Sequence, residues 1–443
     1  MADNVTALVK LAETISQTAK ALSAKLEENG SASPSFELDG LVEYPKVPEI
    51  VGLQMQLIDA AADMHRLALG PTEASFVGPL FLNYDASVME ILNDFDFWNA
   101  VPLDGSASFS EIASKVNLPV SIVRRILKYA FVIRLFAPVP GKPDHVKHTS
   151  FSAAPVRQPL FNPWFHHHLK EGRPASAHLS EALSRFSQGK TEAAEDLIET
   201  AFTVANLDRL DEPQSFWDYI NRQVDGKPSN HRATMFTQAM QAASRFAGFR
   251  VEEILKTGYD WKALGESTIV DMGGSSGHDA ILLTQEFPNL NFIVQDMPET
   301  ESGFNERVPD DLRSRIRFEP HDFLKPQDTR GNVYMLKFIL HDWSDKYACQ
   351  ILGHLVPRLE EEGSHILLFD SIAPPDVTEL PFKMPAHVLA GADLQMMAVF
   401  NSMERSLDDW KALIAKVDKR LEITYISDIP NSPQNLIEIK LRK

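Results

Sequence analysis

In the second half of the chain, one histidine and two acids fall where a proton could be moved. The run VYMLKFIL reads as a strand that delivers His341 into the turn His341-Asp342-Trp343-Ser344-Asp345. A histidine at a strand's carboxyl end is either a packed, hydrogen-bonded residue or a general base facing a cleft. Asp370 closes the next strand, HILLFD, on the same rim, and Glu404 lies in NSMERSLDDW just ahead of a helix. One base with two acids on neighbouring loops able to orient it is the arrangement that methylating a phenol would need. Ser344 is placed to N-cap the helix that follows the histidine turn.

A second constellation points to a cofactor. The decapeptide Ile269-Val270-Asp271-Met272-Gly273-Gly274-Ser275-Ser276-Gly277-His278 joins the strand STIVDM to the helix HDAILLTQEF. Glycines let a backbone turn tightly against a ligand, and the helix start offers free N–H groups to a carboxylate. Asp296 ends the next strand, NFIVQDM, where an acid accepts hydrogen bonds from a ribose diol. Spacing alone fits either NAD or S-adenosylmethionine (SAM). Two details favour SAM. The loop reads G-G-x-x-G, not the dinucleotide G-x-G-x-x-G. Asp271 directly precedes it, an awkward charge beside a pyrophosphate but harmless beside an amino-acid moiety.

These residues need a scaffold, and the pattern from Ser267 onward supplies one. Short apolar runs alternate with helical segments and end in the strand pair LEITYIS and NLIEIKLRK. That grammar predicts a doubly wound, Rossmann-like α/β sheet, whose ligands bind at the carboxyl ends of the strands. The front of the chain is mainly helical. Residues 1–30 predict one amphipathic helix ending at Asn29-Gly30, and Val47–Leu103 is helical again. Its wide apolar face (Ile50, Leu53, Met55, Leu57, Met64, Leu67) suits a buried or dimer-forming helix. Residues 108–150 predict two helices about Asn117-Leu118-Pro119 and then a short two-stranded wing, a winged-helix pattern. Arg124, Arg125 and Lys128 on its second helix would suit DNA, but three basic residues on one helix are usually a solvated face. Winged helices also serve as dimerisation modules. His166, His167 and His168 are expected to form a surface or interface cluster, because adjacent side chains diverge too far to share a metal. Residues 178–256 read as largely helical.

The totals narrow the classes. The chain has 443 residues, long enough for two domains, and its formal net charge is −18. A chain this acidic repels phosphate backbones, and it has no polybasic run to hold a membrane surface. The lone Cys349 excludes an internal disulfide framework. With no signal-peptide pattern and no apolar run long enough to span a bilayer, the expected location is the cytoplasm.

The segments VDMGGSSG, FIVQDMPE, MLKFILHDWSD, LLFDSIAP and MERSLDDW, in this order, resemble the plant caffeic-acid/isoflavone-type O-methyltransferases and their fungal relatives. The likeness covers most of the chain, and HDWSD after a lysine-bearing strand is its most specific part. It implies a SAM-binding catalytic domain over residues 251–443. It also implies a helical winged-helix dimerisation domain over 1–165 and a helical connection, 166–250, contributing to the substrate pocket. By position, Gly273 matches the loop glycine at the methionine end of SAM and Asp296 the ribose acid. Asp322 and Phe323 match the pair flanking adenine, Lys337 a cofactor-contacting lysine, and Ser244 a position near the cofactor carboxylate. His341 matches the catalytic base, Asp370 and Glu404 the acids around it, and Phe236 and Met240 the clamp on the acceptor ring. Asp370 is shorter than the Glu usual there, which changes its reach. The Pro-rich segment 371–391 is longer than in the plant enzymes and is expected at the substrate mouth.

The resemblance implies in-line transfer of the SAM methyl group to a phenolic or enolic hydroxyl of a small molecule, leaving S-adenosylhomocysteine. It implies a homodimer and no metal, no nucleic acid and no membrane. Two other readings stand beside it. Some fungal relatives catalyse pericyclic cyclisations or dehydrations with SAM as a bound cation. A binding module that has lost activity is the third, and the intact base and SAM loop argue against it.

Overall fold

The computed structural model describes residues 6–207, 212–228, 230–246, 251–361, 363–429, 432 and 434–442. They fall into two compact units. One comprises Met1–Glu171, Met235–Ala242 and Leu380–His387; the other comprises Gly172–Thr234, Ala243–Glu379 and Val388–Lys443.

In the first unit, the helix Ala7–Glu28 starts at Thr6, whose hydroxyl accepts from Val9 N, and stops before Gly30 at φ +72°. The expected helix after Val47 is two helices within Pro48–Asp94, broken at Gly70 (φ 76°, ψ 162°) immediately before Pro71. Proline forbids the preceding residue a helical conformation, and glycine accepts the left-handed one. The apolar face is covered only in part. Ile50 packs with Leu22 and Leu26, whereas Leu67 is 51% exposed. Further along, Phe76 is 83% and Leu82 76% exposed.

The winged-helix pattern is present. The helix Phe109–Val116 carries a capping box of Ser108 and Glu111, and Asn117 ends it at φ +53°. The helix Val120–Val132 follows. Strands β1 (Ala107–Ser108), β2 (Phe136–Val139) and β3 (Lys142–His148) form an antiparallel sheet in the order β1-β3-β2. Trp98, Ile112, Val123, Leu127, Phe136 and Val146 make its core.

The histidine run departs from expectation. His167 opens a π-helical turn, His167–Gly172, and is only 4% exposed. Its Nδ1 lies 2.8 Å from Glu171 Oε2, itself buried, and its ring meets Phe236 edge-on at 5.4 Å. A partner four residues on supplies the burial that three adjacent histidines could not supply for each other.

The second unit is built on a seven-stranded sheet. Its strands are β4 (Ser267–Met272), β5 (Leu290–Asp296), β6 (Ile316–Pro320), β7 (Val333–Lys337), β8 (His365–Ser371), β9 (Leu421–Ile426) and β10 (Gln434–Leu441). The order is β6-β5-β4-β7-β8-β10-β9, parallel except for β10, which pairs antiparallel with both β8 and β9. Side chains alternate across a strand, so each central strand feeds two cores. Val270, Tyr334, Leu336, Ile366 and Leu368 face one; Ile269, Val333, Met335, Leu367 and Phe369 face the other. Strands buried on both faces read as continuous apolar runs. The chain winds outward from β4 in one direction and from β7 in the other. The switch point between them, at the carboxyl ends, is where an open sheet of this kind binds ligands.

Candidate active site

Gly273, Gly274 and Gly277 turn the chain from β4 into the helix His278–Glu286. Gly273 has φ +74°, and a Cβ there would lie 2.5 Å from Ile339 Cδ1. A Cβ on Gly274 would meet Asp271 Oδ2 at 2.4 Å. Both glycine N–H groups donate to Gln295 O, at 2.7 and 3.2 Å. A side chain at Gly273 would be strained by the positive φ, and one at Gly274 would have to displace Asp271 and Val294. Asp296, at the end of β5, closes it: its Oδ2 accepts from Ser275 N at 2.8 Å and its Oδ1 from Met297 N at 2.7 Å. A carboxylate offers about four acceptor positions, so capacity remains for a diol. Burial raises the Asp296 pKa against those two hydrogen bonds.

Asp271, the acid that precedes the loop, is buried. It is 1% exposed, and its carboxyl packs against Gly274 of the loop. Burial first, then the neighbouring Asp279 charge, push it up to about 8, with Lys337 opposing. Burial and the neighbouring acid thus favour its protonated form. Lys337, at the end of β7, pairs with Asp279 at 2.6 Å, in the first turn of the helix His278–Glu286.

Beyond Lys337 the chain enters a 3-10 turn, Leu340–Asp342, which carries His341. His341 Nδ1 lies 3.1 Å from Glu404 Oε1, and Nε2 lies 3.5 Å from Asp342 Oδ1. Asp370, near the end of β8, is 1% exposed. Ligand-capable atoms of His341, Asp370 and Glu404 lie within 4.8 Å of one another. The sequence-predicted base and its two acids are thus together. Glu404, not the shorter Asp370, makes the hydrogen bond.

Electrostatics follow from that packing. Burial disfavours a charged His341, but Asp342, Asp370 and Glu404 outweigh it and raise its pKa to about 10. Burial pushes Asp370 up to about 6, helped by Glu404 and opposed by His341. Burial also opposes ionised Glu404, yet the His341 hydrogen bond and charge hold it below the usual carboxylate range. At neutral pH the site is an imidazolium between two carboxylates.

Ser344 stands at the N-cap of the helix Asp345–Leu359, but its hydroxyl does not cap. It donates to Glu195 O at 2.7 Å, and Glu195 Oε1 instead accepts from Lys346 N. Asp322 Oδ1 accepts from Leu324 N, and the Phe323 ring meets Trp343 edge-on at 5.5 Å. Ser244 is exposed on the helix His231–Phe246 and is grouped with the second unit. Phe236 and Met240, one turn apart on that helix, are grouped with the first. The segment 371–391 is not all loop: the helix Lys383–Phe400 begins inside it, with Lys383 N and Met384 N donating to Asp59. Proline at the third helical position, Pro385, lacks an N–H that would have had no helical partner anyway. Reasoning from sequence missed Asp279, Arg405 and the raised pKa of Asp271. Arg405 alone had a signal, its place beside Glu404.

A family model described as an O-methyltransferase domain matches residues 219–417. The O-methyltransferase lcsG of Purpureocillium lilacinum is 31% identical, over 93% of this chain and 89% of that protein. A structure of OxaC in complex with S-adenosylhomocysteine and oxaline has the same fold, with a TM-score of 0.71 at 20% identity. The match covers 98% of this chain and 100% of that one. A structure described as a pericyclic reaction enzyme also shares it, with a TM-score of 0.71 at 21% identity, over 97% and 100% of the two chains.

Proposed function

The chain belongs to the SAM-dependent O-methyltransferase family, and from that premise we propose that it methylates a phenolic or enolic oxygen of a small molecule, with His341 taking the proton. The observation that carries this reading is the 3.1 Å contact of His341 Nδ1 with Glu404, beside buried Asp370. With Nδ1 held by Glu404, Nε2 is the atom to meet the acceptor hydroxyl, which would have to compete with Asp342 Oδ1 at 3.5 Å. Once bound, SAM supplies a methyl group already activated on a positive sulfur. Gly273, Asp296, Asp322, Phe323, Lys337 and Ser244 would hold the cofactor, and Phe236 and Met240 would clamp the acceptor ring. The cradle that a Cβ would fill at Gly273 and the carboxylate at Asp296 fit that group.

The protein's task is then a proton and an alignment. A phenol of pKa ~10 yields its proton to an ordinary histidine of ~6.5 at a cost of about 5 kcal/mol. A histidine raised to about 10 matches the phenol, so the transfer itself is nearly even, but only the free-base form can accept the proton, and the imidazolium that rests at neutral pH must first lose its own to solvent. The imidazolium keeps the proton while the oxygen is alkylated, and releases it to solvent afterwards. Positioning supplies much of the remaining acceleration. No metal is required, because the two carboxylates already serve the imidazole. His341→Gln is expected to keep the fold and SAM affinity while kcat falls at least about 10²-fold. The loss should ease at high pH, where the phenol ionises unaided; an unchanged kcat contradicts the assignment.

The remaining parts of the reading are coarser. The fungal relatives support an acceptor among secondary metabolites, aromatic polyketides or related phenols, and the plant-type likeness rests on the motifs alone. We propose residues 1–165 as a homodimerisation domain, 166–250 as a connection contributing to the pocket and 251–443 as the catalytic domain. The exposed Phe76 and Leu82 support the homodimer, and light scattering that gives a monomer mass at micromolar concentration refutes it. No helix among the described residues is long and apolar enough to cross a membrane. We propose a cytoplasmic location, and the lone cysteine, which suits a reducing compartment, is in keeping with it. The likeness to a pericyclic reaction enzyme defines the rival outcome, SAM bound but not consumed.

A further inference from the structure

We infer that Arg405 is the positioning residue that holds His341, Asp370 and Glu404 in register, an inference that rests on the transfer reading above. Arg405 is 1% exposed. Its Nη1 donates to Leu340 O at 2.7 Å and its Nη2 to Trp343 O at 2.8 Å. Those carbonyls bracket His341 and Asp342. Leu340 O already accepts from Trp343 N at 3.2 Å and Trp343 O from Ser402 Oγ at 2.8 Å, and the planar guanidinium meets the second lone pair of both carbonyls at once. Nη2 and Nε also donate to Asp345 Oδ1, at 2.8 and 3.2 Å, which fixes the plane of the fork. The cation lies 5.2 Å over the Trp410 ring.

The same residue ties down the two acids. Its backbone carbonyl accepts from Ala373 N at 2.9 Å, and Ala373 bridges to Ser406, so the chain leaving β8 after Asp370 is joined to the segment bearing Glu404. Glu404 N donates to Asp393 Oδ1 at 2.8 Å, which fixes the other side of that segment. Three elements that each carry one member of the cluster therefore meet at one side chain and its own backbone. The guanidinium charge also favours the ionised forms of Asp370 and Glu404. An apolar side chain would fill this space without the desolvation that burying a cation entails. The bonds are spent on the two carbonyls nearest the base. A lysine keeps the charge but donates from a single nitrogen, so it cannot span Leu340 O, Trp343 O and Asp345 together. Loosening the turn lengthens the His341–Glu404 contact and removes part of what keeps His341 protonated.

The test is Arg405→Lys in the full-length protein, read by NMR titration of labelled histidines, with His341 assigned from its absence in His341→Gln. The His341 midpoint is expected to fall by about one pH unit. SAM affinity by calorimetry and KM for SAM should stay unchanged, while the high-pH plateau of kcat drops by about tenfold to hundredfold. Asp345→Asn, which weakens the hold without removing the arginine, should move the midpoint the same way by less. It is the variant to read if Arg405→Lys does not fold. A His341 titration that stays at the wild-type position, with kcat falling only as the folded fraction falls, overturns the inference. The titration needs no acceptor. Failure of the methyl-transfer reading, seen as no S-adenosylhomocysteine from wild type, is therefore distinguishable from failure of the positioning role.

Discussion

Replacing Glu404 by glutamine removes one negative charge and keeps the shape beside His341. Three acids together lift His341 from 6.5 to about 10 against the opposing effect of burial. At 1.36 kcal/mol per pH unit that net gain is about 5 kcal/mol. Glu404 is the acid that also makes the hydrogen bond, and a hydrogen bond to a charged group contributes about 1.5–3 kcal/mol. Glu404→Gln should therefore bring the His341 titration down by about one to two pH units. The sign matters for activity. A raised histidine is protonated below its pKa, so the free base that accepts a proton increases as pH rises towards about 10. In wild type, kcat/KM should climb through neutral pH and level only in the alkaline range, because that profile reports the free enzyme. In Glu404→Gln the same limb should move to lower pH. The plateau above it should also drop, because the imidazolium formed in the transition state has lost its partner. The assay is kcat/KM from pH 6 to about pH 11, one unit beyond the wild-type midpoint, for both proteins, beside an NMR titration of His341. A limb that stays in place while the plateau drops would mean that Glu404 shapes the site without setting the base strength.

Three further outcomes follow from the same geometry. Asp296→Ala should weaken SAM and S-adenosylhomocysteine by at least about tenfold, and equal binding in calorimetry removes the ribose assignment. Asp271→Asn should raise the melting temperature more at pH 9 than at pH 6. An acid whose folded pKa is raised from 3.8 to about 8 withdraws stability as pH climbs through that window, and asparagine has no proton to lose. A gain equal at both pH values contradicts that protonation. EDTA should leave turnover unchanged, whereas loss on chelation that a divalent ion restores would assign the His341, Asp370 and Glu404 atoms to a metal.

Much of this was legible in the sequence because it follows from local pattern. Apolar runs buried on both faces mark β4, β7 and β8, and glycine spacing marks the turn after β4. A histidine and an acid at adjacent strand ends must lie on one rim, which is why His341 and Asp370 could be paired before any coordinates. Other features depend on tertiary contact. Ser344 occupies a capping position, but Glu195, remote in sequence, takes its hydroxyl. His167 reads as one of three histidines in a surface or interface cluster until Glu171 turns inward with it. Asp271 reads as a charge until burial against Gly274 and the nearby Asp279 carboxylate favour its protonated form. The rise in His341 needs three acids from three segments, and no window of sequence contains them together.

The most direct measurement is stoichiometric. The protein is incubated with methyl-labelled SAM and a panel of phenolic polyketides, and both S-adenosylhomocysteine and methylated product are quantified. One S-adenosylhomocysteine formed per labelled methyl ether, abolished in His341→Gln, is the expected result. Conversion of an acceptor to a product with the same methyl count, while SAM is recovered intact, would contradict methyl transfer.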